Sequence, residues 1–280
     1  MTIARSFLFV PGDSTRKLTG ARERGADAVI IDLEDAVAPA RRDDALAITA
    51  SWLEDQDEKG SEMWLRVSSA QRGCAELEAL EADRLAGVVV PKVRSTADLE
   101  HLARTGVAMI AFIETAQAVL DVASIAAQDG IRRLVIGEAD LGAELGIAPV
   151  GGDTAFGSIR SQVVVASAAA GIEAPIGPVD PDFRDLARFA ESTVSLRDHG
   201  FGGRCCIHPA QLDVVNDVFT PTPNEVAAAL RLVAHYEVAA AAGEGVIVAE
   251  DGTMVDEAYV RTARRTLERA RRAGSLGVGM

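Results

Sequence analysis

Carboxylates close three separate apolar runs in this chain. AVIIDLED ends on Asp32, Glu34 and Asp35, AMIAFIET on Glu114, and LVIGEAD on Glu138 and Asp140. Each run is long enough to be a buried parallel strand. If the runs share one sheet, all six acids emerge at a single rim, where they repel one another unless a cation lies between them. A hard divalent metal meets that demand, because Mg²⁺ takes one or two carboxylates and completes its shell with water and substrate oxygens. The pattern points to a metal-assisted enzyme, with Glu114 and Asp140, which follow adjacent strands, as the best ligand pair. The Asp32, Glu34 and Asp35 cluster is then an outer layer of acceptors. Zinc is disfavoured, since His101, His199, His208 and His235 show no paired spacing and no Cys-x-x-Cys exists. Any one acid alone reads more simply as a helix cap or a surface charge; the set does not.

The elements that must position these acids alternate. Strands are expected near 6–10, 28–32, 63–67, 87–92, 108–114, 132–138, 172–179 and 203–208, with amphipathic stretches such as RKLTGARERG and TADLEHLART between them. Eight strands alternating with helices predict a (β/α)₈ TIM barrel, with function at the C-terminal ends of the strands. A doubly wound open sheet is the alternative, but PGDSTRK after the first strand is no phosphate-binding glycine fingerprint. After residue 222 the period breaks. A helix, a hairpin turning at Asp251-Gly252 and a last helix predict a C-terminal helix-hairpin-helix extension over 223–280, acting as a lid or oligomer arm on a barrel of 1–222, with the glycine-rich end frayed.

Other groups reach the same rim. Pro11, Gly12 and Asp13 follow the first strand, Arg66 ends the third, Lys92 the fourth and His208 the eighth. Arg66 could grip a carboxylate or stabilise a developing oxyanion; an ion pair with Glu34 or Asp35 is an equal reading. Lys92 stands where a Schiff-base aldolase keeps its nucleophile. The surrounding acids favour a protonated, charge-balancing amine instead. His208 reads as a hydrogen-bonded lock on the last turn.

Composition narrows the classes. The net charge of −14 disfavours nucleic acid and anionic membrane surfaces as partners. Cys74, Cys205 and Cys206 suggest reduced thiols rather than a disulfide framework, the adjacent pair serving as core packing. No apolar run approaches membrane-spanning length, and SFLFV is cut off at once by Pro11-Gly12-Asp13, so a cytoplasmic protein without a signal peptide is expected.

The motifs RSFLFVPGDSTRKL, ADAVIIDLEDAV, GVVVPKV, FIETA, GEADLGAELG, GFGGRCCIHPAQLDVVNDVF and DGTMVDE occur in this order. Together they resemble the citrate lyase β-subunit and malyl-CoA lyase family of the HpcH/HpaI aldolase group, over essentially the whole chain. The resemblance implies a homotrimer or a hexamer, Mg²⁺ at the positions of Glu114 and Asp140, and reversible cleavage of a 3-hydroxy carboxyacyl thioester. The products would be an acetyl thioester and a 2-oxo acid. The carrier is CoA or, in a multi-subunit citrate lyase, an acyl carrier protein. By the same resemblance Arg66 touches substrate, Asp256 acts as acid or base from a neighbouring subunit, and Glu34 and Asp35 are further catalytic candidates. Pro11, Asp32, Gly137 and Glu138 are candidates for the substrate pocket, and Arg5, Arg16 and Lys17 for the CoA phosphates. Three positions depart from the pattern: Ser68 and Gly177 stand where relatives carry Asn and Asp, and no proline follows Asp256 closely.

Overall fold

The computed structural model describes residues 4–56, 60–80, 82–147, 152–249 and 252–274. Two compact units divide the chain, Ala4–Asn216 and the residues from Asp217 onward. The division falls inside the helix Leu212–Phe219, whereas the sequence pattern placed it at 222.

The first unit is a closed parallel barrel, β1 (Ser6–Pro11), β2 (Ala28–Asp32), β3 (Glu62–Arg66), β4 (Gly87–Val90), β5 (Met109–Ile113), β6 (Ile131–Ile136), β7 (Ile176–Gly177) and β8 (Gly203–Cys206), each paired with the next and β8 with β1. All eight expected strands are present. β7 keeps only two residues of the expected eight, because Pro175 and Pro178 flank it and neither has an N–H for the ladder. β4 ends early because Pro91 follows it and Lys92 turns into left-handed backbone at φ 51°.

Period-two alternation then decides what faces the barrel axis. A buried apolar cluster takes Phe7, Ile30, Trp64, Val89, Ile110, Phe112, Val135, Ile176 and Cys205, one or two from each strand. Two residues further along β2 and β3 come Asp32 and Arg66, and two beyond Phe112 comes Glu114. The apolar plug thus gives way, within one residue pair, to a charged layer at the C-terminal rim. Cys205 and Cys206 are free and buried, and burial pushes the Cys205 thiol up to about 12, which suits packing and not chemistry.

The second unit holds the helix Pro223–Ala241, the strands β9 (Ile247–Val248) and β10 (Met254–Val255), and the helix Glu257–Arg272. The strands pair antiparallel, Met254 with Val248 and Val255 with Ile247. Tyr236, Ala239, Ile247, Val255 and Val260 close the hairpin onto both helices. The expected turn residue Asp251 and the frayed end after 274 lie outside the described residues. No helix among the described residues is long and apolar enough to cross a membrane.

Candidate active site

Register explains the site from the strands upward. Asp32 and Arg66 are register partners on neighbouring strands, so their side chains leave the sheet together. The guanidinium donates through Nε to Asp32 Oδ1 at 2.7 Å and through Nη2 to Oδ2 at 2.5 Å. It lies over the rings of Phe9 and Phe112, at 4.9 and 5.9 Å from their centroids. Asp32 also accepts the backbone N–H groups of Glu34 and Ala36, at 2.8 and 3.1 Å, which shapes the loop that presents Glu34 and Asp35. Asp32 is therefore fully occupied. Its expected place in the substrate pocket is corrected to that of an anchor beneath it, since a carboxylate with four donors has no lone pair left to offer.

Arg66 takes the ion-pair form of its two readings, with Glu34 and Asp35 as its neighbours. At 7% exposure, with Nη1 lying 3.0 Å from Glu34 Oε2 and 3.6 Å from Asp35 Oδ2, its donors point to carboxylates, and it does not line the cavity. Glu34 Oε2 has this charge partner but no well-directed hydrogen bond. Its other oxygen lies 2.6 Å from Lys92 Nζ. Burial pushes the Glu34 carboxyl up, against the pull of Lys92 and Arg66.

A cavity of about 510 Å³ opens above this layer, lined by Glu34, Ser68, Lys92, Glu114 and Asp140 among others. The expected ligand pair thus shares one space. Glu114 is 3% exposed, and its Oε1 accepts the Lys92 backbone N–H at 2.6 Å. Burial, together with the nearby carboxylates of Glu34 and Asp140, pushes its carboxyl up to about 7. Lys92 thus grips Glu114 with its backbone and Glu34 with its side chain, and this double duty accounts for its left-handed backbone. The Glu34 hydrogen bond raises the Lys92 pKa, so the ammonium form persists and the Schiff-base reading loses its neutral amine.

Gly137 sits beside Glu114 because Ile113 and Ile136, the residues before them, are register partners. A Cβ there would lie 2.5 Å from Glu114 Cβ and 2.7 Å from its Oε2. Only glycine leaves the carboxylate its room. The donor set fits a hard cation: two carboxylates with no imidazole or thiolate, one of them held well above its ordinary pKa by burial and like charge, a strain that a bound dication relieves. Among the described residues no three His, Cys, Asp or Glu side chains converge on a metal-sized point, so the remaining positions fall to water and substrate.

The other expected residues fall apart from this centre. Arg5 is corrected outright. It precedes β1, at the opposite pole of the barrel, where Nε and Nη2 clasp Asp27 at 2.7 and 2.9 Å. Arg16 and Lys17 lie exposed on the first turn of the helix Thr15–Arg22, on the correct side but outside the cavity lining. Pro11 closes β1 in register with Asp32. Glu138 gives both oxygens to Arg160, at 2.5 and 2.8 Å, and so holds a helix and not a ligand. Asp256 caps the helix Glu257–Arg272, accepting the Ala258 and Tyr259 N–H groups at 2.9 and 3.1 Å. His208 accepts from Ala210 N–H at 3.1 Å and stacks on Phe183, the turn lock that its sequence position suggested.

Two partners were not foreseen. Glu76 is 2% exposed and accepts both the Ser68 N–H, at 2.8 Å, and the Ser68 hydroxyl. Arg160 stands 22 residues from Glu138 with no apolar pattern linking them. A Cβ at Gly177 would meet Leu196 at 2.8 Å, so that position faces the helical shell and not the mouth.

Comparison with known proteins agrees with this architecture. Residues 5–209 match the HpcH/HpaI aldolase/citrate lyase family. The (3S)-malyl-CoA thioesterase of Cereibacter sphaeroides is 37% identical over 270 residues, covering 95% of this chain and 94% of its own. The mitochondrial citramalyl-CoA lyase of Homo sapiens is 28% identical, covering 94% and 84%. Among solved structures, the protein CitE from Mycobacterium tuberculosis, in complex with magnesium, acetoacetate and coenzyme A, superposes with a TM-score of 0.82 at 28% identity, covering 97% of this chain and 100% of that one.

Proposed function

Because the chain belongs to the HpcH/HpaI aldolase/citrate lyase family, we propose that it is a Mg²⁺-dependent carbon–carbon lyase. Its substrate is a 3-hydroxy carboxyacyl-CoA, cleaved reversibly to acetyl-CoA and a 2-oxo acid. The observation that carries this reading is the meeting of Glu114 and Asp140 in one cavity above a buried arginine. These two carboxylates hold the ion. When bound, Mg²⁺ supplies a Lewis acid for the oxygen that alternates between hydroxyl and ketone. Arg66 and Lys92 offset the negative charge that the acids and the developing enolate bring together. Glu34, with one poorly partnered oxygen and a raised pKa, is the group within the barrel best suited to hold a proton. Asp256 enters as an acid or base delivered by another copy of the chain in a trimer or hexamer, and Arg16 and Lys17 as contacts for the CoA phosphates.

Incubation with malyl-CoA and citramalyl-CoA in Mg²⁺, followed by mass analysis, is expected to yield acetyl-CoA with glyoxylate or pyruvate, and EDTA is expected to stop it. Turnover that survives EDTA would overturn the proposal. A second reading has a specific support in the thioesterase named above. Hydrolysis to malate and free CoA, with no acetyl-CoA, would favour it.

The raised Glu114 carboxyl sets a pH dependence. In the absence of the ion, the folded protein keeps a proton that the unfolded chain releases between about 4.5 and 7. Stability from this group therefore falls as pH rises through that window, by about 3 kcal/mol at 1.36 kcal/mol per unit. Mg²⁺ competes with the same proton, so its effect has the opposite sign. Melting curves are expected to show a Mg²⁺-dependent stabilisation that is small at pH 5.5 and grows to a plateau above pH 7.5; a shift independent of pH would argue against Glu114 as ligand.

A further inference from the structure

Cleavage of a 3-hydroxy thioester moves two protons. One must reach the carbon that departs as an enolate, and Glu34 or Asp256 serves that end. The other must leave the hydroxyl as its oxygen becomes a ketone, and no residue assigned so far receives it. The lining acids have other ties: Glu114 and Asp140 belong to the ion, Glu34 to the carbon, Asp98 to the Arg94 N–H and guanidinium, and Glu144 is exposed. Gln71, on the same wall, carries an amide that takes up no proton.

Three hydroxyls line the cavity among the described residues, those of Ser68, Ser69 and Thr115. Thr115 donates to the Val93 carbonyl at 3.2 Å, and Ser69 accepts the exposed Arg72 N–H at 3.3 Å. Ser68 is the one joined to a buried acid. Its hydroxyl donates to Glu76 Oε1 and its N–H to Oε2, the latter at 2.8 Å. Glu76 sits on the helix Gly73–Glu78, 2% exposed and outside the lining. A neutral amide would hold this turn as well, without the cost of burying a charge. Little offsets that cost here, since Arg72 Nε lies 3.2 Å from Oε1 but is half exposed and also pairs with Asp43. A carboxylate kept under those conditions has a use beyond shaping the loop.

Resting on the lyase reading above, we propose that Ser68 and Glu76 form a proton relay for the substrate hydroxyl. With its own proton turned to Glu76, Ser68 Oγ presents lone pairs to the cavity and accepts from an O–H donor. In cleavage the substrate O–H bond breaks and its proton passes to Ser68 Oγ, while the Ser68 proton passes to Glu76 Oε1. The freed O–H electron pair becomes the second bond of the ketone, and the C–C pair departs on the enolate, which is protonated at carbon from the other side. Glu76 ends neutral and Ser68 unchanged. The proton returns through Ser68 to solvent once the oxo acid has left, and condensation runs the same path backwards. Ser68 is the catalytic residue of the pair, because it touches the substrate; Glu76 acts through it.

The test compares Ser68→Ala, Ser68→Thr and Glu76→Gln with the parent in excess Mg²⁺, on whichever of malyl-CoA and citramalyl-CoA the parent cleaves. Positioned acid–base help is worth about a hundredfold or more, so Ser68→Ala and Glu76→Gln are each expected to lower kcat at least thirtyfold. Ser68→Thr keeps the hydroxyl and is expected to lose less than fivefold. Calorimetry with pyruvate or glyoxylate in Mg²⁺ is expected to give a Kd within threefold of the parent's for all three variants. A smaller loss of kcat in Ser68→Ala, or a larger one in Ser68→Thr, overturns the relay. So does a fall in oxo-acid binding that matches the fall in kcat, since a wall that had merely lost its shape would weaken both. Should Glu76→Gln not fold, the two serine variants decide. A parent that cleaves neither thioester sinks the lyase reading and the relay with it, whereas a Ser68→Ala variant that keeps pace with an active parent sinks the relay only.

Discussion

Glu114→Gln is expected to lower turnover by about a thousandfold or more, equivalent to roughly 4 kcal/mol of transition-state stabilisation, and to abolish the Mg²⁺-dependent rise in melting temperature. The substitution keeps the side chain's shape. Its amide oxygen can still accept the Lys92 N–H, now 2.6 Å away, and its amide group occupies the room that Gly137 leaves. What it removes is a charge buried at 3% exposure beside Glu34 and Asp140. Losing that repulsion should leave the fold intact, and at pH 8 without metal the variant should melt no lower than the parent. Melting curves in EDTA and in Mg²⁺, set beside turnover, separate these effects. A variant that kept both its activity and its Mg²⁺ shift would place the ion elsewhere.

Asp32→Asn is expected to be the most destabilising single change at the rim, by about 3–5 kcal/mol, the usual result of stripping one partner from a buried ion pair. Arg66 would keep its charge at 7% exposure, with Glu34 and Asp35 as remaining counter-charges and no bidentate partner. For a unit of this size such a loss lowers Tm by roughly 10 °C. Function should fall as well, because the same carboxylate holds the backbone that presents Glu34. Urea denaturation measures the cost. A double variant, Asp32→Asn with Arg66→Leu, is expected to be more stable than Asp32→Asn alone, since no unpaired charge remains buried. A cost for Asp32→Asn below 1 kcal/mol would mean that the arginine is held mainly by its other neighbours.

How much of this the residues announce depends on how far apart the partners lie. Strands β1 to β6 and β8 can be read from short runs dominated by apolar residues, because a buried parallel strand carries few polar positions to confuse the pattern. Strand β7 cannot be read to its true length, since prolines that are compatible with an extended chain still remove ladder donors. The carboxylates Glu114 and Asp140 are legible as a pair because Glu114 follows β5 at once and Asp140 lies in the first turn of the helix after β6, and strand ends of a barrel converge. The pairing of Asp32 with Arg66 is not. Both stand at strand ends just as the metal candidates do, and only lateral register shows that they satisfy each other. Arg5 carries the opposite lesson: it is near the first strand in sequence, but before it and not after it, and direction along the strand decides which pole a residue reaches.

The sequence alone thus determines the barrel, and it singles out the rim and the two acids of the proposed ion site, because these follow from local periodicity and from strand direction. It also carries the family resemblance, since ordered motifs are themselves a property of the linear chain. Only the tertiary structure decides which charges are free. That Glu138 is consumed by Arg160, Ser68 by Glu76 and Lys92 by Glu34 depends on side chains from different elements meeting at hydrogen-bond distance. A charge already satisfied by a neighbour has little left for a ligand, and no spacing along the chain records that.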